Sequence, residues 1–401
     1  SNDKTVFKSY VYNNNFTYEW NQKDYFEFSK KYKNITPKIK LPKINFEKNN
    51  KIKIGFISSD FRGNHSITYF LEKTLKFVDK NKIRLISFSN VEKNKKDLTT
   101  TKFEKLFDEF YDTNELNIEQ LAFFINSKKI DILIDLMGFT GESRIELFNS
   151  RISKIQIVWL GYCNTVGLDC VDYLISDENL IFKNEEKYYA EKIIKLKDIW
   201  SCHSGINIER KYNQLPAKKN KYFTFGSFNN FFKISESNID AWSNILKSVK
   251  NSKLILKSSL KNLIDHDLKN KFLDKGVLDS IIFLNRSKGI EDHLKLYKEI
   301  DLSLDTFPYN GVTTSFESLW MNVPVLSLKG YNFNSRCGQS ININAGLNHF
   351  VAKNPEEYVE KAILYSENLK KLENERKYIF ENILNTPLFN SKKFAKNFWN
   401  A

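Results

Sequence analysis

The sequence predicts an α/β protein made of two Rossmann-like, doubly wound lobes with a cleft between them. Three observations lead there. The chain has 401 residues, a length that suits two α/β domains better than one core. Short β-branched apolar runs alternate with helical patterns, which is the signature of parallel sheets covered on both faces. One polar stretch at 201–220, SCHSGINIERKYNQLPAKKN, splits that alternation into two series. Hydrophobic residues make up 41% and aromatics 14%, enough apolar material to offset chain entropy, so global disorder is excluded.

The elements follow in order. Residues 1–48 read as a helical connector, rich in aromatics in TYEWNQKDYFEFSKKYK and closing on a proline-containing linker, KLPKINFEKNNK. The first lobe, 49–205, opens on the strand KIKIGFISS, the polar loop SDFRGNH and the helical pattern ITYFLEKTLKFV. IRLISFS, helical NIEQLAFFINSKK, DILIDL, IELFNSR, IQIVWLG and VDYLIS continue the alternation. The second lobe, 206–378, runs through FTFGSF, SESNIDAWSNILKSV, KLILKSS, SIIFLN, IEDHLKLYKEI, LSLDTF, TTSFESLW and VPVLSL, and residues 379–401 form a helical tail. No internal repeat is present. In such folds ligands bind at the carboxyl ends of the strands.

Lys and Arg number 62 against 48 Asp and Glu, a net charge of +14 that favours anionic partners. The lysines spread along the whole chain and form no basic aromatic motif, which argues against nucleic acid. Cys163, Cys170, Cys202 and Cys337 have neither zinc spacing nor disulfide density, so reduced thiols in a cytoplasm are expected. No run approaches the ~20 apolar residues of a membrane helix and no signal peptide opens the chain. The start at Ser1 rather than Met fits a segment of a longer protein. Nothing in the sequence signals an oligomeric state.

Three loops carry candidate chemistry. At the end of the first strand, His65 in SSDFRGNH can take a proton near neutral pH; alternatively Asp60 and Asn64 satisfy a turn and His65 caps the next helix. At the end of the first strand of the second lobe, FGSFNNFFK offers Lys233 to a diphosphate and Asn230 to a ribose or phosphate oxygen; the plain alternative is a solvated lysine. In LDTFPYNGVTTSFE the chain turns through Asn310 and Gly311 into a helix starting near Thr313 and Thr314, whose free N–H groups suit phosphate. Thr314 and Glu317 also have the spacing of a capping box that needs no ligand. Asp265-His266-Asp267 has metal-binding spacing but lies in a charged helical stretch, so it reads as surface and no metal is expected. Dinucleotide and phosphate-loop fingerprints are lacking.

Together these segments resemble the catalytic region of the O-GlcNAc transferase and SPINDLY family of protein O-glycosyltransferases, glycosyltransferase family 41, in its bacterial form. The resemblance runs from about 50 to 395 through SSDFRGNHSITYFLE, DLMGFTGESRIELFNSR, WLGYCNTVGLDCVDYLISD, FGSFNNFFKI, DHLKLYKEIDLSLDTFPYNGVTTSFESLWMNVPV and SRCGQSI. It implies a GT-B fold and an inverting, metal-independent enzyme with no cofactor. Its first expectation is transfer of GlcNAc from UDP-GlcNAc to Ser/Thr hydroxyls of proteins. It also implies tetratricopeptide repeats before residue 1.

By the same resemblance His65 matches the family's histidine near the donor, Lys233 its diphosphate-binding lysine, and Thr313 and Thr314 its pyrophosphate-contacting threonines. Glu317 matches the acidic residue near the ribose, His293 the histidine beside the nucleotide, and Leu160 and Gly161 positions that approach the sugar. Asn230 stands where animal O-GlcNAc transferases have Gln, and Val312 where they have His. Phe139 replaces a His or Tyr of relatives. These departures bring the chain nearer to SPINDLY and make a GDP-fucose-dependent O-fucosyltransferase the alternative. A nucleotide-sugar epimerase and a non-catalytic peptide-binding scaffold are rivals from other classes.

Overall fold

The computed structural model describes residues 2–43, 50–63, 65–257 and 263–401. Most of the expected linker, 44–49, and Asn64 lie outside the described residues, as does the side chain of Asp265. Contacts divide the chain into two units. One comprises 1–14, 19–205 and 390–401, the other 15–18 and 206–389.

The first unit begins with helices α1 (Asn2–Asn14), α2 (Gln22–Ser29) and α3 (Tyr32–Ile35). Phe7 fixes them to each other and to the sheet end, its ring 4.9 Å from Phe28, 5.2 Å from Tyr32 and 6.2 Å from Phe139. Lys8 on α1 is buried, its Nζ donating to the Ser143 carbonyl at 3.0 Å, and burial holds its ammonium below the usual lysine range.

The sheet follows as β1 (Ile52–Ser58), α4 (Ser66–Lys76), β2 (Ile83–Ser89), α5 (Leu98–Glu104), β3 (Glu109–Asp112), α6 (Ile118–Ser127), β4 (Ile132–Asp135), β5 (Ile155–Val158), β6 (Tyr173–Asp177) and β7 (Lys192–Leu196). All strands are parallel, in the order β3-β2-β1-β4-β5-β6-β7. The order reverses between β1 and β4, the switch point where such sheets open a crevice at their carboxyl ends. IELFNSR adds no strand. Ile145–Asn149 is a 3-10 turn whose Ile145, Leu147 and Phe148 are all buried.

The second unit runs α7 (Pro216–Asn220), β8 (Thr224–Ser227), α8 (Glu236–Ser248), β9 (Lys253–Lys257), α9 (Leu263–Asp274), β10 (Ile281–Leu284), α10 (Ile290–Lys295), β11 (Leu302–Leu304), α11 (Thr313–Trp320), β12 (Val325–Leu328), α12 (Cys337–Asn344), β13 (Val351–Ala352), α13 (Pro355–Glu367) and α14 (Leu369–Asn382). Its parallel sheet has the order β10-β9-β8-β11-β12-β13, with the reversal between β8 and β11. The last helix, α15 (Ser391–Asn400), belongs to the first unit. There Trp399 donates its indole N–H to the Thr74 carbonyl at 3.0 Å, and the Phe398 ring lies tilted 4.3 Å from that of Trp159.

Two arginines tie the helical end of the second unit to its sheet. Arg210 reaches the carbonyls of Trp320 and Phe380 and the side chain of Asn322. Arg376 is wholly buried on α14 and donates to the carbonyls of Ile300 at 3.0 Å, Asp301 at 3.2 Å and Asn213 at 3.3 Å. Burial lowers its guanidinium to about 10. Its donors satisfy buried carbonyls just before β11. Replacing Arg376 with Met should leave those oxygens buried and unpaired, at a cost of about 2–4 kcal/mol of folding free energy. Urea denaturation of the two proteins reads this directly, and equal midpoints would show that the carbonyls find other partners.

Candidate functional site

In the second unit, β8 and β11 both deliver their chains to the same place. β11 ends one residue before Asp305, whose carboxylate is 1% exposed. Its Oδ1 accepts from Gly311 N at 2.7 Å, Thr306 N at 2.9 Å and Asn229 Nδ2 at 3.3 Å, and its Oδ2 from Ser327 Oγ at 3.0 Å. One side chain thereby folds the whole turn 306–311 back onto the strand that precedes it. The turn has no room for a larger residue at its end. A Cβ on Gly311 would lie 2.5 Å from Thr314 Oγ1 and 2.7 Å from Asn229 Oδ1, so its own neighbours demand the glycine there.

Asn310 is fully buried and its side chain is committed to the scaffold: Nδ2 donates to the Thr306 carbonyl at 2.9 Å and Oδ1 accepts from Gly338 N at 3.0 Å, in the first turn of α12. Its carbonyl accepts from Lys233 Nζ at 2.9 Å, and that ammonium lies 4.2 Å over the Tyr309 ring. Lys233 ends a 3-10 turn, Phe231–Lys233, started by Asn230, whose Oδ1 accepts from Phe232 N at 3.2 Å. The carboxamide that reaches inward is the neighbouring Asn229, its Oδ1 accepting from Thr314 Oγ1 at 2.7 Å.

Helix α11 begins at Thr313 and its N-cap, Val312, offers no side-chain cap. The capping box is not formed, because Glu317 points elsewhere. Its Oε2 pairs with His293 Nε2 at 2.9 Å and accepts from Tyr297 OH at 3.3 Å. Tyr297 OH is also 3.1 Å from the Thr314 carbonyl. Lys257, at the end of β9, lies 2.7 Å from His293 Nδ1. An ammonium can only donate, so Nδ1 is an acceptor and the imidazole proton sits on Nε2, facing Glu317. Burial lowers the Lys257 ammonium below its ordinary range, against the pull of Glu317. Beside the first turn of α11 the structure therefore gathers Lys233, Thr313, Thr314, Asn310 and Gly311, and Lys257, His293, Glu317 and Tyr297 form a chain leading up to it. Uncapped N–H groups, a positive helix end and an ammonium are the kind of groups that suit an anionic phosphate.

In the first unit, His65 stands at the N-cap of α4 with extended backbone but makes no side-chain cap. Its Nε2 faces Asp60 Oδ1 at 3.3 Å, with Arg62 Nη2 at 3.6 Å from the same oxygen. Leu160 and Gly161 follow β5. Leu160 adopts φ +83°, a strained value for a branched side chain, and a Cβ on Gly161 would lie 2.2 Å from the Leu136 carbonyl. The Asp265-His266-Asp267 segment is on α9, where Asp267 pairs with Lys271 at 3.0 Å and His266 Nδ1 lies 3.2 Å from Asn270. Among the described residues no three of His, Cys, Asp and Glu converge as a metal site would require.

Comparison with known proteins decides the family. The profile described as Glycosyl transferase family 41 matches residues 33–205 and 202–398. The chain belongs to glycosyl transferase family 41. Within the family it is 32% identical over 362 residues to the Hordeum vulgare protein named "Probable UDP-N-acetylglucosamine--peptide N-acetylglucosaminyltransferase SPINDLY", covering 87% of this chain and 37% of that protein. The Arabidopsis thaliana protein of the same name is 33% identical over 359 residues, covering 86% and 38%. The chain thus spans little more than a third of these relatives' length. A solved mutant O-GlcNAc transferase from Thermobaculum terrenum superposes with a TM-score of 0.90 at 23% identity, over 99% of this chain and 76% of that one. That likeness concerns the fold, which is the GT-B type of this family.

Sequence reasoning missed Asp305, Asn229, Lys257, Tyr297 and Asp60. An aspartate closing an apolar strand run, as in LSLD, was the available signal for Asp305. Burial pushes its carboxyl up to about 6, in spite of the donors that lower it. A folded value above the unfolded one means that the folded chain prefers Asp305 protonated. That contribution is fully present below pH 4 and is lost as pH rises through about 6. Asp305→Asn, which cannot ionise, should therefore gain stability relative to the parent between pH 4 and 7, by up to about 3 kcal/mol. Denaturation curves of both proteins across that range test it; a constant difference would show that the carboxylate is not desolvated.

Proposed function

We propose that this family 41 chain is an inverting glycosyltransferase that moves a sugar from a nucleoside diphosphate sugar to Ser or Thr hydroxyls of proteins, without a metal ion. One observation carries the reading: the uncapped start of α11 at Thr313 and Thr314, with Lys233 held beside the same turn through the Asn310 carbonyl. As the bond from sugar to diphosphate breaks, negative charge grows on the leaving phosphate. The ammonium and the helix N–H groups meet that charge where a metal would otherwise be needed. The His293–Glu317 pair suits a ribose and base, offering an acceptor carboxylate and a flat imidazole. The acceptor hydroxyl must shed a proton, and His65 in the first unit is our candidate base.

UDP-GlcNAc is the first donor to test, supported by the names of the plant relatives, which state that donor and a peptide acceptor. GDP-fucose is the second, favoured by Asn230 and Val312 in place of the Gln and His expected in animal O-GlcNAc transferases. A cytoplasmic setting belongs to the same reading: all four cysteines are free thiols, and among the described residues no helix is long and apolar enough to cross a membrane.

A panel of UDP and GDP sugars, assayed in chelator for hydrolysis and for transfer to protein, tests the proposal. Transfer without added metal is expected, with Lys233→Ala lowering kcat some hundredfold or more, equivalent to ~3–4 kcal/mol of transition-state stabilisation. Parent-like turnover by Lys233→Ala, or epimerisation of a free nucleotide sugar without acceptor, would overturn it.

A further inference from the structure

We propose that Phe16 is a positioning residue for Lys233: it braces the Tyr309 ring, and the face of that ring keeps the ammonium beside the turn that enters α11. The inference rests on the phosphate-binding reading of Lys233 above and adds what keeps its charge aimed.

The support starts in the loop between β12 and α12. Ser335 closes that loop on itself, its Oγ accepting from Tyr331 N at 2.8 Å and Asn332 N at 3.0 Å while its own N–H donates to Asn332 Oδ1 at 3.1 Å. Arg336 Nε donates to the Gly330 carbonyl at 2.9 Å across the same loop. Two side chains of the segment 15–18 attach here, one on each side of Phe16. Asn15, 2% exposed, accepts from Asn334 Nδ2 at 3.4 Å through its Oδ1, and the Tyr18 ring lies 6.1 Å from that of Tyr331. In sequence these four residues fall between α1 and α2, yet they belong to the second unit. Held at both ends, the segment sets Phe16 against the candidate site, its ring centre 5.0 Å from that of Tyr309 and tilted by 39°.

The turn fixes the backbone of Tyr309. Its carbonyl accepts from Thr306 Oγ1 at 2.7 Å, and Asp305 and Asn310 tie down the residues around it. A fixed backbone still leaves a half-buried tyrosine several rotamers, and packing against Phe16 selects one of them. Lys233 Nζ lies 4.2 Å from the centre of that ring and donates to the Asn310 carbonyl at 2.9 Å. A lysine carries a compact charge on a flexible four-carbon stem, and a carbonyl contact fixes its distance more than its direction. The electron-rich face of Tyr309 adds the direction, and it attracts a cation without neutralising it as a carboxylate would. The charge therefore stays available to a phosphate and needs no reorganisation as negative charge develops.

NMR of the full chain, with lysine labelled at its ε-methylene carbon, reads the placement without any ligand. A methylene beside an aromatic face is shifted upfield by the ring, and the Lys233 signal is assigned by its loss in Lys233→Met. The parent should show that upfield signal, Phe16→Ala and Tyr309→Leu should move it towards the exposed-lysine position, and Phe16→Tyr should keep it. Calorimetric titration then compares UDP with UMP and GDP with GMP. Phe16→Ala should shrink the preference for the diphosphate from at least about tenfold to about threefold or less, with monophosphate affinity kept within about twofold. Arg376→Met, which loosens the same unit through contacts outside the turn 306–311, should keep both the signal and the preference, so general destabilisation is told apart from lost aim. A parent without the upfield signal, a Lys233 signal unmoved in Phe16→Ala, or an undiminished diphosphate preference in that variant would overturn the inference. A parent that binds no nucleoside diphosphate would count against the phosphate-binding reading instead, and the NMR result would still decide whether Phe16 positions Lys233.

Discussion

Each unit is organised around an aspartate that caps the strand beside its opening strand and is then buried. In the second unit Asp305 gathers Gly311, Thr306, Asn229 and Ser327 around one carboxylate, and Tyr358 OH donates to its backbone carbonyl at 2.9 Å. In the first unit Asp135 ends β4 and accepts from Met137 N and Gly138 N, and burial raises it to about 7. Both carboxylates do the same work, satisfying loop N–H groups that leave the sheet at its switch point. Both pay in desolvation, which outweighs the pull of Lys8 on Asp135 and of Lys233 on Asp305. The turn that carries the Lys233 contact to the start of α11 depends on this, since Asp305 ties Thr306 and Gly311 back to the strand alongside the bonds that Asn310 makes.

The two sheets were legible because their strands are continuous β-branched runs buried on both faces, as in KIKIGFISS and KLILK. The short β3, EFYD, carries polar residues and only half-buried positions, so no apolar run betrays it. β7, KIIKL, is an edge strand with lysines at its first and fourth positions and gives an equally faint signal. IELFNSR has the composition of a strand, yet it spends its apolar residues on a 3-10 turn.

Around the candidate site, the residues that sequence motifs named are those with distinctive chemistry or glycine, such as His65, Lys233 and Gly311. The residues that hold them were invisible for a physical reason. Asp305, Asn229 and Asp60 are ordinary strand-end polar residues until the fold buries them; Asp305 meets Asn229 across 76 positions and Asn229 meets Thr314 across 85, while the other partners of Asp305 include backbone groups with no sequence signature. Thr314 and Glu317 illustrate the reverse error of local reasoning. Their spacing fits a capping box, but His293 and Tyr297, brought in from α10 and the turn after it, capture the carboxylate first.

The central claim is that a diphosphate, rather than a nucleoside alone, is what the start of α11 and Lys233 recognise. Calorimetric titration of UDP and UMP into the parent and into Lys233→Met isolates that contribution, because the two ligands differ only in the phosphate that the ammonium would meet. The account predicts that the parent binds UDP at least about tenfold more tightly than UMP, and that the gap collapses in Lys233→Met while UMP affinity is kept. Equal affinities in the parent, or an undiminished gap in the variant, would contradict it.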